Sequence, residues 1–385
     1  MTLLARFLPM RPELARFLDP KLGLGSDNLQ TFHREGEHVD EGLWLSADGR
    51  WNPIVRGVPC FLPIALRPDF SEFFRKHGLG MPKQDAAANK ADSEQQAKTN
   101  VTFSDKWSKF RNYGLEPGHQ EFLFDWYCKK LGLPSIDALK SFYRGKKLVL
   151  ECGPGSGFNT RFMAENGGGT VISADISEAA FTTFGNTKHL PNCHVIQADL
   201  NELPLPDNTF DFVIADGVLH HTPSTRQAVE SLYRKVKPGG QFFFYVYRRM
   251  GAARYFCDQH IRDTFSKLDP EACYKACEGI TEMGRELSKL KAQVTLEKPI
   301  PILGIPAGTH DVQRLIYYYF VKCFWNDAFD YETNNMVNFD WYHPHLAWQH
   351  SEEEVEGWLK ELGVKEYAFH PANPNGISTL LRKPE

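Results

Sequence analysis

The sequence predicts an α/β protein built on a mostly parallel sheet with helices on both faces, and three observations carry that reading. Short apolar runs alternate with helical stretches between residues 147 and 247, the pattern of a wound parallel sheet. The run Gln241–Tyr247 is apolar almost throughout, as a strand covered on both faces requires. A turn at Asn373-Pro374-Asn375-Gly376 separates two final strand-like runs, so the sheet is expected to end on an antiparallel pair.

Residues 1–82 read as a small β-rich module, with strands at Gly42–Ser46 and Trp51–Val55 around the turn Ala47-Asp48-Gly49-Arg50. An Asp-Gly between two such runs is a hairpin signal. Residues 83–100, KQDAAANKADSEQQAKTN, hold no large apolar side chain and are expected to be a flexible linker. Residues 101–385 form the main domain. Helices are expected at Phe103–Tyr113 and Gln120–Leu131, ahead of a first strand at Lys147–Cys152 and its helix at Asn159–Asn166. Strands follow at Thr170–Ala174, His194–Gln197 and Phe210–Ala215. Helix Arg226–Val236 then stops at Lys237-Pro238-Gly239-Gly240. From about residue 248 to 349 the alternation breaks, with helical patterns at Tyr255–Leu268, Glu271–Lys291 and Val312–Trp325 and a proline-rich turn at Pro299–Pro306. A hundred inserted residues are more than a connection and read as a cap. Helix Glu352–Leu362 and strands Lys365–His370 and Gly376–Arg382 complete the sheet.

Composition narrows the function. A net charge of −4 argues against a general nucleic-acid binder. Eight cysteines without a CxxC pair exclude a disulfide scaffold and leave buried, reduced thiols. No apolar run reaches the ~18 residues of a membrane span, and a cytoplasmic location is expected. The 13% aromatic content is the one skewed figure, pointing to a large apolar pocket or an interface.

The chemistry concentrates at strand ends. Leu148 to Asn159 reads as a strand ending in Glu151, a turn with Gly153, Gly155 and Gly157, and a helix. Phe158 stands where a dinucleotide fingerprint needs its third glycine, and a carboxylate before the glycines suits an ammonium better than a pyrophosphate. Asp175 ends the second strand, where it can accept both hydroxyls of a ribose, and Asp199 follows the third, where it can accept from an adenine amino group. Each alone is an ordinary cap or turn residue. Three acids at the ends of three successive strands form a site, because ligands of such sheets bind there.

The stretches ECGPGSGFNT (151–160), SADIS (173–177), QADLNELPLPDNTFDFVIADGVLHHTP (197–223) and LYRKVKPGGQFFFYVY (232–247) resemble the class I S-adenosylmethionine-dependent methyltransferases of the broad ubiquinone-biosynthesis-like group. The resemblance implies a Rossmann-like, seven-stranded, mostly parallel sheet with an antiparallel last strand and S-adenosylmethionine as cofactor. It implies that Glu151, Gly153, Gly155 and Gly157 border the methionine part, that Asp175 with Ile176 holds the ribose, and that Asp199 and Leu200 hold the adenine. Asp216 is expected beside them, with Phe103 and Trp107 as a lid. A fainter resemblance links Glu41–Pro63 to small zinc-ribbon modules that partner or precede some methyltransferases; with Cys60 alone, it implies a degenerate, metal-free version.

Methyl transfer needs alignment in a dry pocket, and a base only when the nucleophile carries its proton. His220 and His221 are the candidates, against a plain loop-capping role. Tyr247, Arg248, Tyr342 and His343 are expected against the acceptor. Asp340 with His343 and His345 has the look of a metal triad, but pocket lining is the preferred reading and no metal is expected. The aromatic stretch Tyr317–Trp325 reads as core, as a homo-oligomer interface, or as a wall of the acceptor pocket. The leading function is methyl transfer to an apolar or aromatic small molecule. An RNA-modifying methyltransferase and a cofactor-binding scaffold or sensor without activity are the alternatives.

Overall fold

The computed structural model describes residues 11–36, 38–47, 49–80, 90–372 and 374–385. The N-terminal module is an antiparallel sheet of β1 (Leu29–Glu35), β2 (His38–Leu45), β3 (Trp51–Val55) and β4 (Val58–Pro59), followed by helix α1 (Ser71–Lys76). The reading of 83–100 as a linker is corrected for its second half, because α2 runs from Lys90 to Lys109; residues 83–89 lie outside the described residues. Ala, Gln, Glu and Lys are strong helix formers, and the helix is placed by polar rather than apolar side chains, with Gln96, Thr99 and Thr102 buried. Helices α3 (Pro117–Leu131) and α4 (Ile136–Arg144) follow; α4, with Ser135 capping Ala138 N, escaped the sequence reading.

The main sheet comprises β5 (Leu148–Cys152), β6 (Thr170–Asp175), β7 (Cys193–Gln197), β8 (Phe210–Asp216), β9 (Val236–Tyr247), β12 (Glu366–His370) and β13 (Gly376–Arg382). Its order is β12-β13-β9-β8-β5-β6-β7. The five central strands pair in parallel, while β13 pairs antiparallel with β9 and with β12. Helices α5 (Phe158–Asn166), α6 (Ala179–Thr187), α7 (Thr225–Lys235) and α12 (Glu352–Glu361) complete the layers. Alternate residues serve opposite faces: Phe242 and Phe244 pack with α7 and α12, and Phe243 and Tyr245 pack with α3, α4 and α5.

The module docks on the first of these faces, where Leu14, Leu18, Trp44 and Ile54 join the core of the main sheet. Cys60 bridges in parallel to Gln197 on edge strand β7, and Phe61 N donates to Gln197 O at 2.7 Å. The module thereby covers a sheet edge that would otherwise stand open.

The cap holds α8 (Ala252–Phe265), α9 (Pro270–Lys289), the hairpin of β10 (Gln293–Leu296) and β11 (Gly308–Asp311), α10 (Val312–Tyr319) and α11 (Tyr331–Tyr342). Its core of Cys273, Cys277, Phe339, Trp341 and Tyr342 rests on Tyr247 at the end of β9. The helix expected over Val312–Trp325 ends at Tyr319. Beyond it, side chains take over the backbone bonds. Lys322 N donates to Asp258 Oδ1, Phe324 N to Asn338 Oδ1, and Asn326 N to Asn334 Oδ1, while Cys323 O accepts from Gln313 Nε2. Buried backbone must find partners, and here the neighbouring elements supply them to an irregular segment.

Candidate active site

Strand β5 lies between β6 and β8, where the direction of winding reverses, and ligands of open α/β sheets bind at the carboxyl ends beside that point. A cavity of about 520 Å³ opens there. One half is built from the ends of β5, β6, β7 and β8; the other from α2, α3, the end of β9 and the cap.

In the first half, Glu151, Gly153, Asp175, Ile176, Asp199, Leu200 and Asp216, residues singled out in the sequence, all line the cavity. Gly155 and Gly157 do not reach it; they shape the turn. Gly155 has φ of +60°, and a Cβ there would stand 2.5 Å from Trp107 Cζ2. Only glycine allows both that conformation and that approach. Glu151 is tied to the helix that follows it: Oε1 accepts from Asn159 Nδ2 at 2.8 Å and Oε2 from Thr160 Oγ1. Burial pushes its carboxyl up to about 7, against the lowering pull of those donors. Asp175 Oδ1 accepts from Ser177 N and Ser177 Oγ, at 2.8 and 2.7 Å, and burial raises its carboxyl to about 6. Asp199 Oδ1 accepts from Asn201 N, and burial raises it as well. A carboxylate has about four acceptor positions, so these buried carboxylates keep acceptor capacity for donors from a ligand, which is the fit that the ribose, amino and ammonium groups of S-adenosylmethionine require.

Helix α2 crosses the cavity, with Phe103 and Trp107 against it. On the sheet side, Thr182 Oγ1 donates to Trp107 O and Glu178 N to Ser104 Oγ. On the cap side, Lys106 pairs with Asp340 at 2.7 Å, and Leu346 N donates to Thr99 Oγ1.

Of the histidine pair, His221 lines the cavity and His220 does not. His221 Nδ1 lies 2.6 Å from Leu346 O; a carbonyl can only accept, so Nδ1 carries the proton and Nε2 the lone pair. Burial pulls its imidazolium down to about 4. His220 is fully buried, its ring centroid 3.7 Å from that of Tyr247, and among the described residues neither nitrogen has a partner.

Among the four residues expected at the acceptor, Tyr247 alone lines the cavity. Arg248 is drawn outward by its ion pair with Glu352. Tyr342 is spent in the cap core, its one hydroxyl proton shared between Lys322 O and Asp258 Oδ1. His343 is held between Thr102 Oγ1 and Leu268 O. Asp340 reaches the cavity without either histidine, and among the described residues no cluster of His, Cys, Asp or Glu is placed to hold a metal ion. The sequence reading did not single out Lys130, Lys322 and Arg314, all of which line the cavity. Lys130 is paired with Asp216 at 2.6 Å beneath the ring of Trp126. A lysine inside an aromatic stretch, as Lys322 is within Tyr317–Trp325, was the available signal.

On this sheet, with its glycine turn and its acids at successive strand ends, residues 150–244 match the family described as a methyltransferase domain, which supports a class I S-adenosylmethionine-dependent methyltransferase. The chain is similar to a tRNA U34 carboxymethyltransferase of Pseudoalteromonas atlantica, 25% identical over 219 residues, which span 55% of this chain and 60% of that protein. It is similar to the human mitochondrial arginine-hydroxylase NDUFAF5, 30% identical over 119 residues, 31% of this chain and 34% of the relative. It is also similar to the ubiquinone/menaquinone biosynthesis C-methyltransferase UbiE of Pasteurella multocida, 35% identical over 99 residues, 24% of this chain and 37% of the relative. The chain thus spans less than two thirds of the length of each. Among the described residues no helix is long and apolar enough to cross a membrane.

Proposed function

We propose that the protein transfers a methyl group from S-adenosylmethionine to a small molecule seated against the cap. One observation carries this reading: the acid-lined cofactor end and an aromatic wall of Tyr247, Tyr317 and Trp341 belong to a single cavity. The cofactor supplies a methyl group on a sulfonium, which needs an aligned nucleophile and little else from the protein. Asp175 is assigned to the ribose hydroxyls, Asp199 to the adenine amino group and Glu151 to the ammonium end. Phe103 and Trp107 exclude water from above, which favours displacement in a dry site. His221 Nε2, unprotonated at neutral pH, is assigned to accept a proton from an acceptor that still carries one.

The test is incubation of the full chain with methyl-labelled cofactor and a metabolite extract, followed by mass spectrometry. Label on a small molecule supports the reading, and no labelled product in any fraction refutes it. A second reading, an RNA acceptor, draws on the relative that acts on tRNA. Label that survives on RNA and is released by nuclease would favour it. The module, residues 1–82, is proposed as a docking element for the main domain rather than a metal module.

A further inference from the structure

At the cap end of the cavity basic side chains outnumber the carboxylates beside them. Lys322 is 6% exposed and lines the cavity. Its Nζ lies 4.1 Å from the ring centroid of Trp341 and, among the described residues, has neither a hydrogen-bond acceptor nor an ion-pair partner. Fully buried Arg254 stands 5.4 Å from that same ring and 5.4 Å from the ring of Tyr317. Its Nε pairs with Asp258 and its Nη1 donates to Tyr317 O, but its Nη2 is buried without a partner. Arg314, which also lines the cavity, is 5.4 Å from the ring of Tyr317, and its Nη2 donates to a carbonyl, Trp325 O.

The nearby carboxylates are already engaged. Asp258 takes Arg254 Nε, Trp341 Nε1, Tyr342 Oη and Lys322 N. Asp340 is paired with Lys106, and Asp216 with Lys130. Native proteins rarely bury a charge with no counterpart. Three cations interleaved with two rings, beside two carboxylates, Asp258 and Asp340, that other donors already engage, describe a site short of an anion.

We propose, resting on the methyl-transfer reading above, that the acceptor is an aromatic or conjugated molecule bearing a carboxylate or other anionic oxygen, and that Lys322 holds that group with Arg314 as the second cation. Lys322 is then a specificity-determining residue, set in place by the irregular segment after α10. Burial, together with the charge of Arg254 and against the opposing effect of Asp340 and Asp258, pulls its ammonium down to about 7. An entering anion reverses that pull, so binding draws a proton onto Nζ.

The experiment separates a metabolite extract on an anion exchanger at pH 8 before the reaction, then offers the retained and unretained pools to the full chain with methyl-labelled cofactor. Label is expected from the retained pool. Lys322→Met should cut that labelling about 10- to 100-fold, the usual worth of a hydrogen bond to a charged group, while binding S-adenosylhomocysteine within about twofold of wild type, and Lys322→Arg should recover part of it. A merely structural lysine predicts a lower melting temperature in Lys322→Met, whereas replacing an unpaired buried ammonium with Met leaves the melting temperature unchanged or higher. Label from the unretained pool alone, or undiminished labelling by Lys322→Met, overturns the proposal. Label from neither pool refutes the methyl-transfer reading on which it rests.

Discussion

Asp175→Asn tests the cofactor end most sharply, because it should make the protein more stable and a poorer binder at once. In the free protein the carboxylate is buried, with Ser177 N and Oγ donating to Oδ1 and the Gly155 backbone also bonding the carboxylate. Its rise from 3.8 to about 6 means that the ionised form is disfavoured in the fold by about 3 kcal/mol, at ~1.4 kcal/mol per unit. The sign follows from proton binding. Between pH 6 and 4 the folded protein holds a proton at Asp175 that the unfolded chain has released, so this residue's penalty is full above pH 6 and vanishes toward pH 4. Asn keeps an acceptor for Ser177 and carries no charge. The variant should therefore unfold at higher denaturant at pH 8, by up to about 3 kcal/mol, with the gap closing as pH falls.

Binding runs the other way. Ribose hydroxyls donating to the ionised carboxylate are worth about 1.5–3 kcal/mol each, against about 0.5–1.5 kcal/mol to a neutral amide oxygen, so the two together lose about 2–3 kcal/mol and Asp175→Asn should weaken S-adenosylhomocysteine roughly 10- to 100-fold at pH 8. Wild-type affinity should itself fall as pH drops, because Glu151 at about 7 and Asp175 at about 6 must both be ionised. From pH 8 to pH 5 the two protonations together cost on the order of 10³ in affinity, and about 10² in Asp175→Asn, where Glu151 alone titrates. Calorimetry across this range, in two buffers of different ionisation enthalpy, measures both the affinity and the protons released. A wild-type affinity flat from pH 8 to 5, or a variant that binds as tightly as wild type, would mean that these acids do not hold the cofactor.

His221→Ala should lower kcat about 10²- to 10⁴-fold if the acceptor delivers a proton, with S-adenosylhomocysteine affinity unchanged; His220→Phe, which keeps the stack on Tyr247, should retain full turnover in the same labelled-methyl assay. Since burial holds the His221 imidazolium near 4, this residue should impose no acid limb on kcat between pH 6 and 9, as a pH–rate profile would reveal. Gly155→Ala forces a side chain into positive φ and against Trp107, and should cost about 1–3 kcal/mol in chemical denaturation. Lys106→Met frees Asp340 from its partner across the cavity and should cost about 1.5–3 kcal/mol, read by the same denaturation.

The sheet was legible because its signals are local. Leu148–Cys152 and Gln241–Tyr247 are apolar strands, the glycines mark the turn, and Glu151, Asp175 and Asp199 sit where the strands end. The cap was legible only as helices with approximate ends, because its form rests on contacts between distant residues. Nothing in Phe320–Asn326 announces that the helix stops; Asp258, Asn334 and Asn338 decide it by supplying backbone partners. For the same reason Arg248 and Tyr342, well placed by sequence, are spent on Glu352 and Asp258. The first half of α2, residues 90–102, was missed because a search for apolar stripes cannot see a stretch docked through Thr99 and Thr102.

The two ends of the cavity depart from ordinary protonation in opposite senses. Burial pushes Glu151, Asp175 and Asp199 up at the sheet end, and pulls Lys322 down at the cap end. Each departure marks a charge that the fold has desolvated without fully pairing. Structural charges in this chain are handled differently: Asp211 meets Lys237, and Glu41 meets Lys76 and His77. Groups left in buried imbalance are the expected mark of a ligand site, and here the sign of each imbalance names the missing partner. Donors and an ammonium belong against the acids, as S-adenosylmethionine provides, and an anion belongs against Lys322. The opposed signs also give a filled cavity little net charge, since each ligand neutralises the end it occupies. Affinity for both ligands then comes largely from relieving desolvated charge, a gain confined to the correct occupant of each end.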